Sequence, residues 1–196
     1  MKLSGDLKAF EGRIGHHFAD PSLLVRAVTH ASMSSANRDD NQRLEFLGDA
    51  VLQLVLTEHI YSMFPEYKEG DLTKFRARLV SKEALFKFAK NIDLGKYVML
   101  GKGEEASGGR SRPSTLADAL EALLGAIYID GGFDSAKEVI IRITADDIIK
   151  ISEQPDEKNP KGQLQEILQA IVPESPVYSV ESESGPDHSK NPFGSI

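Results

Sequence analysis

Residues 41–56, NQRLEFLGDAVLQLVL, are apolar over most of a helical circumference and carry their polar groups on one narrow stripe. Leu44, Phe46, Leu47, Ala50, Val51, Leu52, Leu54 and Val55 supply the apolar surface; Gln42, Glu45, Asp49 and Gln53 form the stripe. Glu45 and Asp49 are four residues apart, so both project from one side of the helix. A second stretch, STLADALEALLGAIY at 114–128, repeats the arrangement with Asp118 and Glu121 three apart. Ala117, Ala122 and Gly125 flank that pair and let another backbone come close. Taken singly, each pair reads as the solvated face of a core helix, since like charges at this spacing cost roughly a few tenths of a kcal/mol. Taken together, two apolar helices with two acids each can face one another and converge four carboxylates. Such a group repels itself unless it is protonated or holds a cation. Hard oxygen donors without cysteine or a nearby histidine point to Mg²⁺, or Mn²⁺ in its place, rather than zinc. Acid-bound metal is a common route to phosphodiester hydrolysis.

Working outward, apolar residues recur at helical spacing over Leu3–Ile14, Leu23–Ala31, Leu72–Leu79, Ala84–Ile92 and Ala136–Ile151. Pro65, Gly70, Gly95 and the Gly131–Gly132 pair read as stops, and Ser114 as a cap for the helix of Asp118. No strand alternation occurs before residue 152, so the first part of the chain is expected to be all-α. GKGEEASGGRSRP at 101–113 has one apolar residue, Ala106, and reads as a flexible connector; it lacks the GxxxxGK-Ser/Thr pattern of a phosphate loop. After Ile151 a charged, proline-containing linker leads into NPKGQLQEILQAIV, a short amphipathic helix from about Pro160. Val177–Glu181 then alternates like one strand, and the rest reads as turn-rich. The boundaries follow: a helical domain over 1–152, a linker over 153–159, and a small segment over 160–196.

The 196 residues are 40% hydrophobic, enough to fill a core. The absence of cysteine excludes disulfides, thiolate zinc sites, iron–sulfur clusters and cysteine nucleophiles. No apolar run approaches the roughly 20 residues that span a bilayer, and the charged start does not resemble a signal peptide. A reduced, cytoplasmic setting with no membrane partner is therefore expected. The net charge of −7 lies mostly in the tail: residues 1–152 hold 20 basic and 22 acidic side chains, and 153–196 hold three and eight.

NQRLEFLGDAVL resembles the signature of the ribonuclease III family, and the remaining motifs agree in order. IGHHFADPSLLVRAVTHAS is similar to the family's opening, GDLTKFRARLVSKEAL to its middle helices and STLADALEALLGAIYIDGGF to its second acidic motif. Together they cover residues 10 to about 150. The resemblance implies a helical endonuclease domain acting as a homodimer on double-stranded RNA, in processing such as ribosomal RNA precursor maturation, with no small-molecule cofactor. Glu45, Asp49, Asp118 and Glu121 match the family's catalytic, Mg²⁺-holding carboxylates. Products would carry 5′-phosphate and 3′-hydroxyl ends with short 3′ overhangs, each protomer cutting one strand. Phe46 matches a residue that inserts into the partner subunit; from spacing alone it reads as core. His30 would be a structural or hydrogen-bonding histidine on the second helix, and Arg76 and Arg78 would lie on a solvated face.

Gln42 stands where many family members carry Glu, and Asp71 where glutamate is common. The segment over 160–196 resembles the beginning of an α/β double-stranded-RNA-binding domain, its first helix and first strand only, in which Lys161, Gln165 and Gln169 would contact RNA. An incomplete domain of this kind is expected to be partly disordered and to bind weakly. The competing reading is a non-cleaving dimer that binds structured RNA on the same scaffold; the presence of all four acids favours the enzyme.

Overall fold

A computed structural model describes residues 3–33, 40–153, 179–184 and 191–195. The chain divides into two compact units, Met1–Glu153 and Gln154–Ile196.

The first unit is built from helices α1 (Leu3–Ile14), α2 (Pro21–Ala27), α3 (Gln42–Met63), α4 (Glu69–Leu79), α5 (Lys82–Asn91), α6 (Lys102–Ala106) and α7 (Pro113–Glu153). Local chemistry sets their starts. Asp20 accepts the Ser22 amide at 2.9 Å ahead of Pro21, Asp71 accepts the Lys68 amide at 3.3 Å, and Ser81 Oγ accepts the Ala84 amide at 3.2 Å. The last long helix starts at Pro113 rather than being capped by Ser114, as expected of a ring whose φ is already helical and whose missing N–H is not needed there. Gly131–Gly132 does not end it. The backbone kinks at Gly132, with φ 76° and ψ −170°, a conformation open to glycine, and helix continues to Glu153.

The segment of α7 before the kink is the centre of the core. Leu116, Ala117, Ala119, Leu120, Ala122, Leu123, Leu124, Ala126 and Ile127 are all buried, so this helix is enclosed on nearly every side. Helix α3 packs across it through Leu44, Val51, Leu52, Val55 and Leu56. The kink is tied to the α1–α2 turn by Asp130, which accepts the amides of Ala19 (3.0 Å) and Asp20 (2.9 Å) and is 2.9 Å from His16 Nε2.

Two further expectations change here. His30 is not on the second helix: α2 ends at Ala27, and Thr29 pairs with Met99 in a parallel bridge, His30 N donating to Met99 O at 3.1 Å. The 101–113 segment is not a loose connector. Arg110 donates through Nη1 to the carbonyls of Gly95 (2.8 Å) and Val98 (2.7 Å), and through Nε and Nη2 to Glu105 (2.9 and 2.5 Å). Arg112 pairs with Glu104. Polar side chains anchor this segment where apolar ones are missing.

In the second unit, β1 (Ser179–Ser184) pairs antiparallel with β2 (Asn191–Ser195), with an irregularity between Val180 and Ser182. Of the strand expected over 177–181, the described part begins at Ser179 and extends to Ser184, and a second strand forms where only turns were expected. The helix expected from Pro160, with Lys161, Gln165 and Gln169, lies outside the described residues.

Candidate active site

The approach of α3 to α7 decides the site. A Cβ at Gly48 would fall on the Glu121 carbonyl and lie 2.9 Å from the Gly125 nitrogen; one at Gly125 would meet the Leu44 carbonyl and lie 3.0 Å from the Gly48 nitrogen. The two helices touch backbone to backbone, which no larger residue permits at either glycine. Glu45 is one turn from Gly48, and Glu121 one turn from Gly125, so the crossing puts their carboxylates side by side.

Glu45, Asp118 and Glu121 each offer a carboxylate oxygen within 4.8 Å of the others, and all three residues are half-buried. No other group of three or more potential metal-ligating side chains gathers this way among the described residues. Burial pushes Glu121 up to about 7, helped by the charges of Asp49, Asp118 and Glu45. Burial also raises Glu45, with Asp118, Asp40 and Asp49 adding to the effect. Asp118 is raised by burial against the opposing pull of Lys82 and His30. Three hard oxygen donors that resist ionising together are a donor set suited to a divalent cation of the magnesium type.

Asp49, the fourth acid expected, is not in that group. Gln53 Nε2 donates to both of its carboxylate oxygens, at 2.9 and 3.0 Å. Its charge still reaches Glu45 and Glu121. Thr57, one turn further on, donates to the Gln53 carbonyl at 2.6 Å and accepts from Arg76 Nη1 at 3.0 Å. Arg76 is therefore anchored to α3 rather than standing on a solvated face. His30 Nδ1 accepts the Ser32 amide at 3.1 Å and lies 2.9 Å from Ser32 Oγ, which accepts the Gly101 amide at 2.9 Å.

Sequence reasoning placed Gln53 on the polar stripe without giving it a role, and did not single out Lys82 or Asp40. Gln53 had a signal in its four-residue spacing from Asp49. Lys82 had none, because only the packing of α5 against α7 brings it near Asp118. Phe46 is 82% exposed and not part of the core, and with Leu47, Ile129, Arg26, Gln42 and Arg43 it lines an open surface hollow.

Residues 20–148 match the family model described as ribonuclease-III-like. The chain belongs to the ribonuclease III family. Ribonuclease 3 of Desulforamulus reducens is 47% identical over 182 residues, covering 91% of this chain and 74% of that protein. A crystal structure of the ribonuclease III nuclease domain from Campylobacter jejuni superposes with a TM-score of 0.69 at 40% identity, covering 75% of this chain and 97% of that one. A further structure of that domain, notable for flexibility in a region involved in its dimer formation, gives 0.67 at 42% identity, covering 70% and 94%. The chain is an endoribonuclease of the ribonuclease III type.

Proposed function

We propose that this ribonuclease III hydrolyses double-stranded RNA as a homodimer, with Glu45, Asp49, Asp118 and Glu121 of each protomer serving a Mg²⁺-dependent centre that also accepts Mn²⁺. The observation that carries this reading is the half-buried group of Glu45, Asp118 and Glu121, with oxygens within 4.8 Å of one another. A bound divalent cation supplies activation of water and neutralisation of charge developing on the phosphate. The chain's own part is to hold the acids close and partly dry. Glu45, Asp118 and Glu121 would hold the cation. Glu121, raised to about 7, is partly protonated near neutral pH, and a bound cation would favour its ionised form.

The exposed Phe46 ring supports a dimer in which it is covered by the partner subunit. Two centres then serve the two strands, one cut each, leaving 5′-phosphate and 3′-hydroxyl ends with short 3′ overhangs. Lys161, Gln165 and Gln169 add RNA contacts. Cytoplasmic processing of structured transcripts, such as ribosomal RNA precursors, is the setting this activity suits.

Incubating the chain with a long perfect RNA duplex at low salt, with Mg²⁺ or with EDTA, tests the proposal. Magnesium-dependent conversion to short duplexes with 5′-phosphates is expected, and loss of cleavage in Asp118→Asn and Glu121→Gln. Cleavage that persists in EDTA or in both variants overturns it.

A further inference from the structure

The polar stripe of α3 extends past the acids to Gln53, whose amide grips both oxygens of Asp49. A carboxylate accepts but does not donate, so the amide atom facing both oxygens is the NH₂ group. Neutrality is what distinguishes this contact. A lysine at position 53 would orient Asp49 but cancel its charge, whereas a glutamate would leave it without a donor and repel it. An amide fixes the carboxylate and leaves its whole negative charge available to a cation. The turn that carries Gln53 is itself fixed, through the bond from Thr57 Oγ1 to the Gln53 carbonyl and the bond from Arg76 of α4 to Thr57.

We propose that Gln53 is a positioning residue of the acidic centre, fixing the orientation of the Asp49 carboxylate, whose charge reaches Glu45 and Glu121 from outside their close group, so that a divalent cation meets a preset fourth acid. This rests on the assignment of the four carboxylates made above. It differs from an ordinary helix-face pair, which adds slightly to helix stability and nothing to metal affinity. Hydrogen-bonding partners of metal-ligating carboxylates typically contribute 10–100-fold to affinity.

The test is calorimetric titration of Mg²⁺ into the RNA-free protein, for wild type, Gln53→Met, Asp49→Asn and the double variant, each checked by circular dichroism and melting in EDTA. Gln53→Met keeps the side-chain volume without the donor; Gln53→Ala replaces it if that variant does not fold. The expected result is a Kd for Mg²⁺ about tenfold higher in Gln53→Met. No further loss is expected when Gln53→Met is added to Asp49→Asn, because the two act through one interaction. In cleavage, the Mg²⁺ concentration for half-maximal rate should rise in parallel while kcat at saturating Mg²⁺ is largely kept. If Asp49→Asn weakens Mg²⁺ binding but Gln53→Met stays within twofold of wild type, the role of Gln53 is overturned and the four-carboxylate assignment stands. An Asp49→Asn Kd equal to wild type sinks that assignment for Asp49, and the proposal with it.

Discussion

Glu121→Gln should abolish cleavage and, without metal, make the protein more stable. In the folded chain the Glu121 carboxyl is raised from 4.5 to about 7, through burial first and the charges of Asp49, Asp118 and Glu45 second. The folded state therefore holds the Glu121 proton more tightly than the unfolded state does. The stability linked to that proton is complete below pH 4.5 and is lost as pH rises through about 7. At pH 8 the full shift corresponds to about 3 kcal/mol. Glu121 is only half-buried, and solvent screening brings the figure to about 1–2 kcal/mol. Glutamine keeps the shape and removes the charge, so at pH 8 in EDTA the variant should melt about 3–6 °C above wild type, for a chain of this size. At pH 5 wild-type Glu121 is protonated and the gap should close. Scanning fluorimetry at the two pH values, with circular dichroism to confirm equal helix content, measures this. A variant that melts at or below wild type at pH 8, or a gap unchanged between pH 5 and 8, refutes the reasoning.

Mg²⁺ should stabilise the wild-type chain more at pH 8 than at pH 6, since protons compete for the same oxygens; melting curves with and without 10 mM-scale metal, about a hundredfold over EDTA carry-over, check this. Gly48→Ala should cost about 3 kcal/mol or more, because its Cβ meets backbone that cannot turn aside, and urea denaturation reads the loss. Asp130→Ala should cost about 1–2 kcal/mol by removing the acceptor of the exposed Ala19 and Asp20 amides and the partner of the half-buried His16, again by urea denaturation. Phe46→Ala should leave the melting temperature of a dilute monomer unchanged while raising the dimer dissociation constant by tenfold or more, measured by analytical ultracentrifugation.

The two acidic helices were legible because their information is local: apolar periodicity defines each helix, and three- or four-residue spacing defines each pair. Gly125 among its small neighbours hinted that a backbone comes close, but nothing in the sequence says that Gly48 is what it meets. The orientation of Asp49 is a side-chain choice settled by Gln53, which periodicity does not resolve. Residues 101–113 looked loose because they lack apolar anchors; the donors of Arg110 do that work by meeting carbonyls 12 and 15 residues earlier in the chain. Asn191–Ser195 reads as turn because it contains Pro192 and Gly194, both poor strand residues, and the pairing with Ser179–Ser184 outweighs them. The Gly131–Gly132 pair breaks regularity as expected, yet packing on both sides of it lets the helix resume.

Because α3 and α7 meet main chain against main chain at Gly48 and Gly125, the distance between their carboxylates is ruled by the dimensions of the peptide unit itself. Side chains elsewhere in the core can be exchanged, over many generations or in a design library, without resetting that gauge. The reaction centre is thereby insulated from the drift of the residues that enclose it, and its tolerance for error is concentrated in two atoms' worth of missing side chain.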